Sequence, residues 1–269
     1  MNEKMRKIIK ILLFLVFIGS IGMYAVQTYE SYRSGIEYQE AEEIANVPDF
    51  IPEEEKEKTE LIWREVAVYD DPYIESLEEI DIDSLREVNE DVIGWIVIPD
   101  TKLSYPVVKG ADNEFYLNHT WKGVKSALGA IYMEQYNSPE FDDFHTIIYG
   151  HRMIDGTMFG SLKRYKTLDY FEEHPYVYVK DDHGKHRYEI FSAYEAAVDS
   201  NTYMVGKFKD ENKRAFIKYT LEESVIDTGI KPEITDRILT LSTCTGKGYE
   251  NRWVVHARLR GIEEEVPVN

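Results

Sequence analysis

Short runs of apolar and β-branched residues alternate with polar turns through most of the chain, which predicts many strands and few helices. Pro106 lacks a backbone N–H, so the segment that contains it is predicted to lie at a sheet edge. The predicted strands cover 92–98, 105–108, 146–149, 176–180, 186–198, 237–243 and 252–259, and the predicted helices cover 83–90 and 209–224. Without a strand–helix–strand rhythm, this pattern favours a mainly β barrel or sandwich with inserted helices.

The N-terminus has a different pattern. Four basic residues precede an uncharged, strongly apolar run over 11–29. At about 1.5 Å per residue this run spans roughly 28 Å, close to the hydrocarbon thickness of a bilayer. It predicts a single transmembrane anchor in the plasma membrane, with the basic segment 1–10 in the cytoplasm and the remainder outside. A cleaved signal peptide is the alternative, with Ser20 and Gly22 near a possible cleavage site.

The segment after the predicted anchor is strongly acidic. Residues 37–60 carry ten acids against two lysines, within a chain of net charge −19. This predicts an acidic stalk over 27–70 with a helix over 53–69, then one globular domain over 71–262 and a tail over 263–269. Such a charge argues against nucleic acid or anionic lipid as the main partner.

Cys244 is the sole cysteine and ends the apolar run 239–244, where a buried strand reaches the rim of the fold. A lone cysteine outside the cell cannot form an internal disulfide, so it serves either packing or reactivity. Packing as a small hydrophobe is the ordinary outcome for such a residue. The residues around Cys244 favour reactivity instead.

A reactive thiol needs a proton-exchanging partner, and His151 follows a predicted strand through Gly150, which is a typical rim position. Arg252 opens the last strand just across a loop from Cys244, where its guanidinium could donate to a developing oxyanion. A plain surface arginine is the competing interpretation. Strand alternation places Ser242 on the face of Cys244, so Ser242 is a candidate substrate contact.

The remaining histidines have simpler explanations. His183 and His186 have the spacing of a metal pair, but no further cysteine or histidine lies at ligand spacing. Both are expected to be solvated beside the turn over 181–184, whereas His256 is expected to be a satisfied, partly buried strand residue. The sequence therefore predicts no metal site.

At this point the motifs resemble those of the sortases. Residues 240–244, Thr-Leu-Ser-Thr-Cys, resemble the cysteine motif of that family, and the serine form is typical of class B. Arg252 lies where sortases keep an arginine, and the segment over 149–159 is similar to the class B histidine segment. Further similar segments are 91–96, 105–108 and 112–119, so that the resemblance covers roughly 90–260.

The resemblance implies an eight-stranded sortase-type β-barrel with N-terminal and inserted helices, the insertion corresponding to 209–224. It implies that Cys244 forms a thioacyl-enzyme with the C-terminal sorting motif of a secreted protein. His151 would act as general acid and then base, and Arg252 would stabilise the oxyanion. The acceptor would be an amine of a peptidoglycan precursor or a pilin lysine, and no cofactor is implied. Some sortases respond to calcium, but the acidic cluster Glu134, Glu140, Asp142 and Asp143 is expected to be a solvated loop.

Two alternatives stay open. A membrane-anchored cysteine peptidase or hydrolase would use the same three residues and let water resolve the acyl-enzyme. A non-catalytic wall-binding or assembly module would not need Cys244. The sorting motif and the choice between wall anchoring and pilus assembly are not legible in the sequence.

Overall fold

Eight strands form a closed barrel in the computed structural model of the chain, which describes residues 3–48, 71–246, 248 and 250–263. The strands are β1 Val92–Ile98, β2 Leu103–Val108, β3 Ile131–Met133, β4 His145–Tyr149, β5 Tyr176–Asp181, β6 Gly184–Ala197, β7 Ile238–Cys244 and β8 Asn251–Glu263. Their order around the barrel is β1-β2-β3-β4-β7-β8-β6-β5, and β5 pairs with β1. Only β2–β3 and β4–β7 are parallel among these pairs. The predicted eight-stranded barrel is confirmed.

The helices are α1 Glu3–Ile44, α2 Pro72–Ser76, α3 Ile82–Arg86, α4 Leu168–Glu173 and α5 Asp210–Glu223. The two helices predicted in the globular part correspond to α3 and α5. The start of α2 follows from its sequence, because the Asp71 carboxylate accepts the N–H of Tyr73 and Pro72 occupies the first turn. The sequence pattern did not predict α2 or α4, because each is only about one and a half turns long.

The prediction that Pro106 lies at a sheet edge is wrong. Strand β2 pairs with β1 on one side and with β3 on the other, and Pro106 lies opposite Trp95 of β1. The ladder to β3 includes only Val107 and Val108, so the missing N–H of Pro106 lies before that ladder begins. Strand β3 itself is three fully buried residues, which is too short to show an alternating pattern.

A buried ionic cluster ties α2 to the barrel. Asp71 is 2% exposed, and it accepts hydrogen bonds from the guanidinium of Arg187 at 2.8 Å and from the hydroxyl of Tyr178 at 2.9 Å. Tyr178 lies on β5 and Arg187 on β6. One carboxylate therefore caps a helix and also neutralises a buried cation.

The last part of α1 packs on the barrel. Tyr38, Ala41 and Ala45 are buried in the main core, and Glu37 is also buried. The segment predicted as the start of a stalk thus contributes to the core, and the stalk helix predicted over 53–69 lies outside the described residues. The division of the chain into anchor, stalk, catalytic domain and tail stays a prediction.

The first part of α1 is long and apolar enough to cross a membrane. Within the described residues, Met5–Ile44 contains an 18-residue window of mean hydropathy 2.3, and none of that window is buried. Signal sequences pass the same test of length and composition, so the cleaved signal peptide stays the alternative.

The expectation that His186 is solvated is wrong. His186 is 1% exposed, and its Nε2 lies 2.8 Å from a carboxylate oxygen of Asp181, which is also buried. The turn before β6 has only two residues between Asp181 and Gly184, so the strand brings His186 back over Asp181. His183, in the turn itself, is exposed as expected and contacts Glu140.

Two further histidines, His145 on β4 and His256 on β8, are buried. The hydroxyl of Thr240 lies 2.7 Å from Nε2 of His145 and 2.7 Å from Nδ1 of His256. His145 also contacts the carbonyl of Met204 at 2.6 Å, and His256 contacts the hydroxyl of Tyr194 at 3.0 Å. This buried polar chain connects β4, β7, β8 and β6, and burial lowers the pKa of both rings, that of His145 to about 4.

Candidate active site

The parallel pairing of β4 with β7 brings two distant parts of the sequence to one edge of the barrel. Tyr149 lies opposite Ser242, and the N–H of Gly150 donates to the carbonyl of Ser242 at 3.2 Å. Parallel neighbours end at the same side of a sheet. Consequently His151, two residues beyond the end of β4, lies next to Cys244 at the end of β7.

His151 and Cys244 share a hydrogen bond that alters the protonation of both. It is the main cause that raises the pKa of His151, against the opposing effect of burial. It is also the main cause that lowers the pKa of the Cys244 thiol, again against burial, and the charge of Arg252 adds to this lowering. Both shifts favour the thiolate–imidazolium form over the neutral pair, and the thiolate is the nucleophilic form.

The hydrogen bonds of the imidazole define its tautomer. Nε2 of His151 lies 2.6 Å from the carbonyl oxygen of Leu117. A carbonyl oxygen only accepts hydrogen bonds, so Nε2 carries a proton. Nδ1 is then the ring nitrogen that remains available to Cys244. The backbone of His151 is held as well, because its carbonyl accepts the N–H of Phe159 at 2.9 Å.

Arg252 lies across the barrel edge from the thiol. It is the residue of β8 that pairs with Cys244, and its Nη1 donates to the carbonyl of Asn251 at 3.1 Å. Its charge lowers the pKa of Cys244 and opposes the rise that burial causes in the pKa of Tyr132 and Tyr203. The guanidinium thus adds a permanent positive charge to the space around the thiol.

These residues line a groove of about 460 Å³. Cys244, His151 and Arg252 all border this groove. Other groove residues include Leu117, Tyr132, Glu134, Tyr149, Tyr203 and Val205. The walls therefore combine aromatic and apolar side chains with several polar groups, as is typical of a site that binds a ligand.

Ser242 also borders the groove, but its side chain is almost fully buried. Its hydroxyl lies 2.9 Å from the hydroxyl of Tyr203, a groove residue on the connection between β6 and β7. The structure thus places Ser242 on the same strand face as Cys244 with its hydrogen bond directed to Tyr203.

Sequence reasoning missed two charged residues of the site. Glu134 was expected in a solvated loop, but it is 6% exposed, and its carboxylate accepts from Asn113 at 2.7 Å and from the Tyr149 hydroxyl at 2.8 Å. That expectation is wrong for Glu134, because it directly follows the unpredicted strand β3 and turns into the groove. Arg152 lowers the pKa of Cys244, and its position beside His151 was the available signal.

Comparisons with known proteins place similar sequences and structures in one family. The family model of the Sortase domain matches residues 96–260. Sortase B of Listeria monocytogenes is 36% identical over 178 residues, which is 65% of this chain and 72% of that protein. Sortase B of Staphylococcus aureus is 34% identical over 162 residues, which is 60% of this chain and 66% of that protein.

The fold of a solved structure matches over most of the chain. A Staphylococcus aureus sortase B–substrate complex superposes with a TM-score of 0.70 at 26% identity, and the match covers 87% of this chain and 100% of that one. The likeness extends beyond residues 96–260, so it includes more of the fold than the family model does.

Proposed function

This chain belongs to the sortase B family of cysteine transpeptidases, and we propose on that premise that Cys244, His151 and Arg252 carry its reaction. The enzyme would cleave a C-terminal sorting motif of a secreted protein and transfer the new acyl terminus to an amine. The observation that carries the proposal is that the sole thiol, His151 and Arg252 border one groove, where β4 pairs with β7 and β7 with β8. No metal or cofactor takes part in the proposed steps.

The first half-reaction is acyl transfer to the enzyme. The Cys244 thiolate attacks the carbonyl carbon of the scissile peptide, and the carbonyl oxygen becomes an oxyanion. Arg252 donates a hydrogen bond to that oxyanion, which stabilises the developing charge. The carbon–nitrogen bond then breaks, and the proton on Nδ1 of the His151 imidazolium moves to the departing amine. A thioester on Cys244 and a neutral imidazole remain.

The second half-reaction reverses these roles. An incoming amine attacks the thioester carbonyl, and Nδ1 of His151 takes the proton that the amine loses. Collapse of the intermediate expels the Cys244 thiolate and leaves a new amide bond. The proposed acceptor is an amine of a peptidoglycan precursor or a lysine of a pilin subunit. Ser242 is proposed to contribute to substrate binding through Tyr203, whose hydroxyl it contacts.

The proposed location follows from the apolar helix. Residues 11–29 would span the plasma membrane with the N-terminus in the cytoplasm, which places the barrel outside. Secreted substrates and lipid-linked wall precursors both arrive at the outer surface of the membrane. The anchor would therefore hold the enzyme where its two substrates meet.

Intact-mass spectrometry tests the proposal. The full chain in detergent micelles is incubated with a panel of sorting-motif peptides, beside the Cys244→Ala variant. A thioacyl adduct on the wild type alone is expected, and the peptide that forms it identifies the motif. An adduct on folded Cys244→Ala, or none on the wild type with any peptide, would contradict the proposal.

Adding an amine distinguishes transpeptidation from hydrolysis. With a glycine or lysine amine present, a transpeptidase converts the adduct into an amide product whose mass includes the amine. A cysteine hydrolase with the same three residues gives the free carboxylate whether or not the amine is present.

A further inference from the structure

The carbonyl that orients His151 belongs to an irregular loop over residues 115–130, named here the support loop. Leu117 of this loop accepts the hydrogen bond from Nε2 of His151. The loop holds its shape through its own backbone, since Ala130 donates to the carbonyl of Tyr116 at 2.9 Å and Ser126 donates to that of Asn118 at 2.9 Å. A displacement of the support loop therefore displaces the carbonyl oxygen of Leu117, which accepts the hydrogen bond of the imidazole.

Gly129 is the point where the support loop touches the histidine. Its φ is +60°, and a Cβ at this position would lie 2.7 Å from the carbonyl oxygen of Leu117 and 2.8 Å from Cδ2 of His151. Only glycine fits such a conformation in such a space. The backbone of Gly129 thus lies directly against both the imidazole and its acceptor.

The end of α1 holds the support loop at several points. The hydroxyl of Tyr38 donates to the carbonyl of Gly129 at 2.6 Å. The carboxylate of Glu37 accepts from the hydroxyl of Thr120 at 2.6 Å, and its carbonyl accepts from the indole of Trp121 at 3.0 Å. Further contacts join the hydroxyls of Ser34 and Ser126 at 2.6 Å and the charges of Glu40 and Lys122 at 2.7 Å. Tyr38, Thr120 and Trp121 are buried, so the hydrogen bonds that these three side chains make are shielded from water.

A second route runs from Tyr38 to the backbone of His151. The ring of Tyr38 packs edge-on against Tyr105, with the centroids 5.3 Å apart. The hydroxyl of Tyr105 accepts the N–H of Met158 at 3.0 Å, and Met158 precedes Phe159, whose N–H donates to the carbonyl of His151. Tyr38 therefore supports both the ring and the main chain of the histidine.

We propose that residues 34–41 of α1 are a positioning element of the active site. Tyr38 and Glu37 hold the support loop so that Leu117 fixes Nε2 of His151 and Nδ1 faces the Cys244 thiol. The helix proposed as a membrane anchor thereby continues directly into the support of the reacting pair. This inference rests on the proposed function of His151 and Cys244.

The test uses the full chain in detergent micelles and its single cysteine. Iodoacetamide alkylation of Cys244 is followed by mass spectrometry across a pH range for the wild type, Tyr38→Phe and Tyr32→Phe. Tyr38→Phe keeps the ring but removes the hydroxyl. Tyr32 lies on the same helix and is 70% exposed, so Tyr32→Phe is the matched control.

We expect Tyr38→Phe to raise the alkylation midpoint by about half a pH unit and to lower kcat about threefold at unchanged KM. The direction follows because a displaced imidazolium stabilises the thiolate less. Tyr32→Phe is expected to match the wild type in both. Gly129→Ala, which adds a Cβ against His151, should shift the midpoint further in the same direction.

A Tyr38→Phe midpoint equal to that of the wild type, with only a lower melting temperature, would show that the helix supports folding and not the pair. That result would overturn the inference. Glu37→Gln provides a second variant if Gly129→Ala does not fold. If the alkylation midpoint of the wild type equalled that of the urea-unfolded chain, Cys244 and His151 would not interact in the folded chain. That result would contradict the proposed function and not only this inference.

Discussion

At the scale of single residues, Cys244 and Arg252 were recognisable because both lie beside one local loop between consecutive strands. His151 is different, since it reaches the thiol through the parallel pairing of β4 with β7, which no local pattern predicts. Its rim position after Gly150 made it a candidate, and only the resemblance to sortases connected it with Cys244. Glu134 was misjudged because its environment depends on β3, a strand too short to predict.

Loss of the proposed oxyanion donor, Arg252, should lower the rate strongly without removing the nucleophile. We expect Arg252→Ala to lower kcat/KM about 10²- to 10³-fold, as the removal of an oxyanion donor does elsewhere. Arg260→Ala is the control, because Arg260 is a half-exposed cation on the same strand. Steady-state transpeptidation with a cleaved peptide measures both variants. Equal losses in the two would indicate a general charge effect.

The interaction between the Cys244 thiol and the His151 imidazole should lower the pH at which the thiolate forms, and a titration without substrate measures this. The pKa of Cys244 is lowered and that of His151 is raised, so the folded chain forms thiolate at lower pH than the urea-unfolded chain. Ultraviolet absorbance of the thiolate measures this. His151→Gln removes the main cause of the lowering and should move the midpoint up. A midpoint that His151→Gln leaves in place would contradict the assigned pair.

At the scale of elements, short apolar and β-branched runs predicted most strands to within a few residues, because these strands are buried along nearly their whole length. The long helix α5 was also legible, since it buries Phe216 and Ile217 on one side. Short elements such as β3 and α2 depend on tertiary contacts instead. The contact of α1 with the barrel was not predicted, because the acidic run over 37–60 favoured a stalk there and the helix expected to dock on the domain was the one over 53–69.

The ionic cluster at the start of α2 should contribute strongly to stability. Asp71→Ala leaves Arg187 without its buried partner and removes the cap of the helix, so we expect a loss of about 3–5 kcal/mol in the free energy of unfolding. Urea denaturation measures it. Asp83→Ala, at a side chain that is 91% exposed, should change stability by less than about 0.5 kcal/mol. Similar losses in both variants would contradict the role of burial.

At the scale of the whole molecule, the barrel and the family were predictable from motifs in the right order, whereas the continuity of the apolar helix with the barrel was not. Helix α1 has 42 residues, which corresponds to about 63 Å of continuous helix. One element therefore carries the proposed membrane span and also packs in the core. The sequence analysis divided this helix between a predicted anchor and a predicted stalk, because the charge along a sequence does not show which acidic side chains are buried in the fold.

The buried histidines should make the whole fold sensitive to acid. The pKa of His145 is about 4 in the folded chain and near its ordinary value when unfolded, so the unfolded state binds more protons below about pH 6.5. Stability is then fully present above about pH 6.5 and falls as the pH drops towards 4, by about 3 kcal/mol from His145. Urea denaturation at several pH values should show a smaller fall for His145→Gln. An equal fall in both chains would exclude His145 as a cause.

The junction of β4 with β7 also determines when the chain becomes chemically active. Synthesis proceeds from the N-terminus, so the histidine leaves the ribosome well before the cysteine and the arginine strand that flanks it. Until β7 and β8 have joined the barrel, the thiol is an ordinary cysteine, mostly protonated and a weak nucleophile. The chain would therefore acquire its proposed reactivity only when the closing strands of the barrel are in place.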